Sequence, residues 1–222
     1  MRYLIVLALL AAMTAACSGD TAATTTGPPD ATTPTGAVTA WVAAVEAGDV
    51  GRLTQLVEPV GMTLVAGIEN NLDVAVLARL LAAGMPDDLL ATYWTSFRDE
   101  FVTFAGSDLG ELQIRAGTSS TGDALAAVDL VGDDGVTTVM VRIDGGLSQI
   151  DMVATLAPAL AGRFGSYLAA TLGSSEAPVV AEAYRVAVVP ALEAIAEGAE
   201  PGAEIGFQLE YIRQLLAEIP AA

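Results

Sequence analysis

The chain changes its hydrophobic period twice. From Ala37 to Phe104 apolar side chains return every three or four residues, from Asp108 to Val153 every second one, and from Ala154 to Ile219 every three or four again. A period near 3.6 marks one face of a helix and a period of two marks one face of a strand. In the middle block, Leu112, Ile114 and Ala116 alternate with Glu111, Gln113 and Arg115. Ala126, Val128 and Leu130 alternate with Leu125, Ala127 and Asp129, and Val139, Val141 and Ile143 with Thr138, Met140 and Arg142. Ile150 and Met152 alternate with Gln149 and Asp151. Thr118 to Gly122, Gly132-Asp133-Asp134-Gly135 and Asp144-Gly145-Gly146 separate these runs, as hairpin turns do. The pattern predicts an α+β fold: N-terminal helices over 37–104, a four-strand antiparallel meander within 108–153, and C-terminal helices over 154–219.

Val38, Trp41, Val42 and Val45 line the first helix, which Gly48-Asp49 ends; Arg52 to Val57 reads as a short second one. Pro59 to Gly84 holds one or two helices, interrupted by Glu69-Asn70-Asn71. Asp87 and Asp88 open the next helix, where negative charge complements the helix dipole. That helix, Asp87 to Phe104, has the sharpest stripe: Leu90, Trp94, Phe97, Phe101 and Phe104 share one face, with Tyr93 beside them. Such a stripe serves either as core or as the wall of an apolar pocket. Tyr93, Trp94, Phe97 and Phe101 are therefore the candidate ligand-binding residues.

After the sheet, Ala154 to Leu172 is helical, Ser174 or Ser175 is placed to cap the next helix, and Pro178 falls in its first turn. Pro190 is expected to kink that helix, and Ile205, Leu209, Ile212 and Leu216 mark the last one after Gly202.

If the apolar sets of the strands share one face, Gln113, Asp129, Thr138 and Asp151 fall in one row on the other, with Arg115 and Arg142 beside them. Asp129, Asp151, Arg115 and Arg142 then form a polar sheet face. Cross-strand ion pairs on a solvated sheet are one use for it, a partner surface another. Asp129 and Asp151 would stand two strands apart, roughly 9–10 Å, a separation also found between paired catalytic carboxylates. Asp133-Asp134 lacks the alternating ligand spacing of a calcium loop and reads as a plain turn, so no metal site is expected.

Ahead of the helices lie Arg2, an apolar run from Leu4 to Ala16 broken only by Thr14, and then Cys17. At about 1.5 Å per residue the run reaches only about 20 Å, short of the roughly 30 Å hydrocarbon core, and the layout is that of a signal peptide. An ordinary signal cut near Ala16 would leave Cys17 as a stray thiol. Thr14-Ala15-Ala16-Cys17 resembles the lipobox of bacterial lipoproteins, which implies cleavage over 1–16 and a lipid on the sulfur of Cys17. Cys17 is the only cysteine, so no intrachain disulfide is possible, and lipidation gives the lone thiol a use. Residues 17–36, rich in Thr, Ala, Gly and Pro, read as a tether averaging roughly 25 Å end to end. The single folded domain is expected over 37–222.

Charge narrows the functions. The net charge is −18, carried by 27 acids against 9 basic residues, and histidine is absent. Such a surface repels nucleic acid and anionic headgroups, so no nucleic-acid partner is expected and the lipid must hold the protein at its membrane. Without histidine, neither a Ser-His-Asp triad nor a His/Cys zinc site can form, and no cofactor is expected.

Two phrases carry a second resemblance. Ala37-Val38-Thr39-Ala40-Trp41-Val42-Ala43-Ala44-Val45-Glu46-Ala47-Gly48-Asp49-Val50, followed by Leu53 and Leu56-Val57, resembles the opening of NTF2-like (SnoaL-like) domains. Asp144-Gly145-Gly146-Leu147 with Ile150-Asp151-Met152 is similar to their last hairpin. The resemblance implies a cystatin-like cone, a curved sheet around a pocket. Three functions follow as expectations for an extracytoplasmic, lipid-anchored protein of a bacterial cell membrane. It could be a non-enzymatic binding domain for a small apolar ligand, a structural protein that docks another envelope protein, or an enzyme working through Asp129 and Asp151.

Overall fold

The computed structural model describes residues 32–105, 108–120, 124–133, 135–198 and 202–220. The expected signal segment and Cys17 lie outside them. The first helix, α1 (Pro34–Ala47), starts inside the stretch expected to be tether. Thr33 Oγ1 accepts the Gly36 N–H at 3.2 Å, and Pro34 occupies the first turn, where its fixed φ fits and its missing N–H is no loss. The folded part therefore begins several residues before the expected boundary. Gly48, left-handed at φ 65°, ends α1, and Asp49 caps α2 (Val50–Leu56) by accepting the Arg52 N–H. Pro59 to Gly84 resolves into two helices, α3 (Pro59–Glu69) and α4 (Val74–Ala83), with Asn71 at φ 50° in the corner between them. The aromatic helix is α5 (Asp87–Ala105).

The meander is β1 (Gln113–Ser120), β2 (Leu125–Gly132), β3 (Gly135–Asp144) and β4 (Leu147–Ile150), in that spatial order and antiparallel throughout. Gly145 and Gly146, at φ 56° and 83°, make the tight β3–β4 turn, a conformation closed to most side chains. The expected sheet shifts at its edges: β1 runs on through Ser120, into the stretch expected to be a turn. Leu109–Glu111 is a 3₁₀ turn ahead of β1, and Asp151 leaves the sheet to become the N-cap of α6 (Met152–Thr171).

Beyond α6 come α7 (Ala177–Ala183), a π turn over Tyr184–Val188, α8 (Val189–Gly198) and α9 (Gly202–Glu218). Neither Ser174 nor Ser175 caps α7. Glu176 holds that position without a side-chain cap, and the Ser175 hydroxyl donates to the Glu176 carboxylate instead. The expected disturbance at Pro190 takes the form of the π turn. Pro190 has no N–H to offer the carbonyl four residues back, and the Val189 N–H reaches Tyr184 O one residue further.

Helix α1 crosses one face of the sheet and touches all four strands, and its Trp41 lines one gap with Leu130, Val139 and Ile150 of the buried face. Helix α6 runs from the end of β4 into a helical half, where it packs on α3, α8 and α9. One hydrophobic cluster continues through both halves, from Ala37 to Ile219. Among the described residues, no helix is long and apolar enough to cross a membrane.

Candidate functional site

The apolar stripe of α5 meets α1 edge-on. Trp41 stands 6.0 Å from Trp94 and 5.7 Å from Phe97, ring centre to ring centre, and Trp94 stands 5.5 Å from Phe97. Tyr93 closes on Trp94 at 5.2 Å, and Phe97 stacks on Phe101 at 6.2 Å. These are favourable edge-to-face and offset geometries for aromatic rings. Between this cluster, the sheet and α6 lies a gap lined by Trp41, Phe97, Phe101, Leu130, Val139 and Leu156 among others.

The room in that gap for a water-sized sphere's centre is about 10 Å³, the lower limit for one water molecule. Of the four candidate ligand-binding residues, Phe97 and Phe101 reach the gap, while Tyr93 and Trp94 are buried beside it. The stripe is core. A small apolar molecule enters only if the rings part.

The polar sheet face is not one row. The register sets Arg115 opposite Asp129 and Asp129 opposite Thr138, whose hydroxyl donates to Asp129 Oδ1 at 2.8 Å. Gln113 lies opposite Val131, and it is Arg115 that holds the place expected for Gln113. Arg115 also donates to the Gln113 side chain.

Asp151 stands apart, 1% exposed at the head of α6. Its Oδ1 accepts the Ala154 N–H at 2.9 Å, and its Oδ2 accepts two guanidinium nitrogens of Arg142 at 2.6 and 3.1 Å. Both oxygens are committed to folding, as an N-cap and as the buried half of an ion pair. Asp129 and Asp151 therefore do not form an acid–base couple. Among the described residues, no group of three or more carboxylate or thiol side chains is placed to hold a metal ion.

Two features escape the sequence pattern. The first is a polar knot at the C-terminal end of α3. The Tyr93 hydroxyl donates to Glu69 Oε2 at 3.1 Å, and Arg163 of α6 donates to the carbonyls of Ile68 and Glu69 at 2.6 and 3.3 Å. Tyr167 pins the same corner through Leu72 O at 2.7 Å. Glu69 Oε1 is buried with no hydrogen-bond partner among the described residues.

Burial raises the Glu69 carboxyl to a pKa of about 7; the Tyr93 hydrogen bond and the charge of Arg163 pull the other way, and Glu100 adds to the rise. Tyr93 itself is pushed well above its ordinary value, first by burial and then by the Glu69 charge. The only trace in the sequence is a lone acid closing an apolar helix and a lone arginine inside another.

The second feature is the outer face of α9. Phe207 is 71% exposed and Tyr211, one turn on, 39% exposed. They escape a search for core stripes because Ile205, Leu209, Ile212 and Leu216 already account for the buried side of this helix. No family model matches the chain, nor does any curated protein or solved structure.

Proposed function

We propose that this chain is a lipid-anchored, extracytoplasmic protein of a bacterial cell envelope whose folded domain acts without catalysis, by docking another envelope protein on its surface. The anchor part rests on Arg2, the apolar run and Thr14-Ala15-Ala16-Cys17. The docking part rests on one observation: the α5 aromatic stripe is closed into the core, whereas Phe207 on α9 has most of its ring in solvent. An isolated exposed apolar side chain is ordinary, but an aromatic pair one turn apart on a well-formed helix is the kind of anchor that interfaces use.

Cys17→Ser should leave a folded protein that is released or unprocessed; a processed mutant still in the membrane fraction overturns the anchor. A photo-crosslinking side chain at position 207, in intact cells, should give a discrete protein adduct. The same probe at the exposed Leu147 or Val136 should not. Equal patterns at all three positions count against docking through α9.

A second reading keeps the small apolar ligand. It draws support from the gap itself, which lies between sheet, α1 and α5 and is walled by Phe97 and Phe101. The NTF2-like resemblance points to the same place. Native mass spectrometry of the purified protein separates the two: a stoichiometric co-purifying hydrophobe favours the ligand, a bare chain favours docking.

A further inference from the structure

Helix α9 carries two stripes. Ile205, Leu209, Ile212, Leu216 and, just past the helix, Ile219 are buried. Glu204, Phe207, Tyr211 and Glu218 lie on the opposite side, at steps of three, four and seven residues that keep them on one face, and all are exposed. The Tyr211 ring leans on α6 at Gly165, where a Cβ would sit 2.9 Å from its Cδ1, so the absent side chain makes that seat. Phe207 keeps most of its ring in solvent. With the exposed Gln214 between Tyr211 and Glu218, the face reads acid, aromatic, aromatic, amide, acid. At a rise of about 1.5 Å per residue its two acids are roughly 21 Å apart.

Charge selects the occupant. The one cation of α9, Arg213, is engaged by Glu193 of α8 and by Glu210. A second copy would bring another −18 against this face, and an anionic bilayer would meet the same repulsion. Cations are drawn both to carboxylates and to the faces of aromatic rings. We infer that the outer face of α9 docks a cationic amphipathic segment of an envelope partner, apolar side chains on Phe207 and Tyr211 and lysines or arginines against Glu204 and Glu218. This rests on the docking reading above and adds the chemistry of the partner.

The test uses the full chain in nanodiscs of neutral lipid and two synthetic amphipathic helical peptides, one of leucine and lysine, the other of leucine and glutamate. The lysine peptide should bind, with an affinity that falls as salt rises. Phe207→Ala should weaken it by about tenfold or more, as loss of a buried anchor does. Glu204→Gln with Glu218→Gln should flatten the salt dependence, whereas Asp87→Asn with Asp88→Asn, on another face, should not. Circular dichroism checks that each variant is folded.

If the glutamate peptide binds equally well, or the lysine peptide binds the Phe207→Ala variant as tightly as the native chain, the inference is overturned. The crosslink at 207 can survive that result, so the docking reading is judged separately. A Phe207-dependent dimer in sedimentation, or Phe207-dependent binding to phosphatidylglycerol vesicles without peptide binding, overturns it too.

Discussion

Helices α5 and α9 carry aromatic side chains at the same helical spacing and treat them in opposite ways. On α5, Trp94, Phe97 and Phe101 are buried; on α9, Phe207 and Tyr211 face outward. Spacing does not separate the two cases. What separates them is the rest of each helix. On α5 the aromatic stripe is the main apolar face, and the residues around it, Arg98 and Asp99 among them, are polar and joined in a surface ion pair. On α9 an aliphatic stripe competes for the core and wins it. Ile205, Leu209 and Ile212 fill the space against α6 and α8, and the aromatics are left on the far side. A helix has one core-facing side, so its second apolar stripe must meet solvent or something else.

The sharpest way to break this contrast is to truncate one ring from each helix. Trp94 is 3% exposed and touches Tyr93, Trp41 and Phe97. Trp94→Ala removes that burial and leaves a cavity that the sheet and α1 cannot fill, so it should destabilise the fold by about 3–5 kcal/mol. Urea unfolding followed by far-ultraviolet circular dichroism reads this directly. A loss under about 1 kcal/mol would mean the α5 stripe is not core, and the closed gap beside it would have to be reconsidered as a ligand site.

A second, smaller effect comes from the polar knot at the end of the same buried face. The Glu69 carboxyl is held near pKa 7, above its ordinary 4.5, because burial disfavours its charge. Below pH 4.5 the group is protonated in both folded and unfolded chains, and its contribution is fully present. Between 4.5 and 7 the unfolded chain ionises first, so stability falls as pH rises, and above 7 the loss levels off. The span is on the order of 2–3 kcal/mol. The chain's acidity also weakens the fold as pH rises, through general repulsion, so the native curve alone does not isolate Glu69. Glu69→Gln keeps a neutral acceptor for the Tyr93 hydroxyl and removes only the titration. Its stability should fall less between pH 5 and pH 8 than that of the native chain. Parallel curves would place the Glu69 proton outside folding energetics.

The fold was legible where one period dominated a segment. The buried part of the α5 stripe, the four antiparallel strands and the Gly145-Gly146 turn read correctly, because each element has a single apolar face and that turn admits few conformations. Errors gathered where a polar side chain had two possible uses. Asp151 continues the β4 alternation and is also a good N-cap; the cap wins because it satisfies the Ala154 N–H and keeps Arg142 paired. Thr33 belongs by composition to the stretch expected to be tether but caps α1. The row of Gln113, Asp129, Thr138 and Asp151 failed for a related reason. Side-chain alternation fixes the face of a residue but not its partner on the next strand, which depends on loop length. Pairings between distant segments, such as Glu69 with Tyr93, leave no periodic mark at all.

The smallest effect on stability is the most informative about α9. Phe207→Ala removes a ring that has most of its surface in water, so little burial is lost, and alanine is the better helix former. Stability should change by no more than about 0.5 kcal/mol, in contrast to the Trp94 variant. Tyr211 offers the internal control, since its ring is seated on Gly165 and its truncation to alanine should cost more than that of Phe207. If Phe207→Ala instead destabilises the purified chain as strongly as Trp94→Ala does, then Phe207 is covered within the isolated protein. The exposed aromatic face is then part of the fold rather than a place for a partner. If the order Trp94, Tyr211, Phe207 holds, the ring that contributes least to folding is the one left free to contribute to binding.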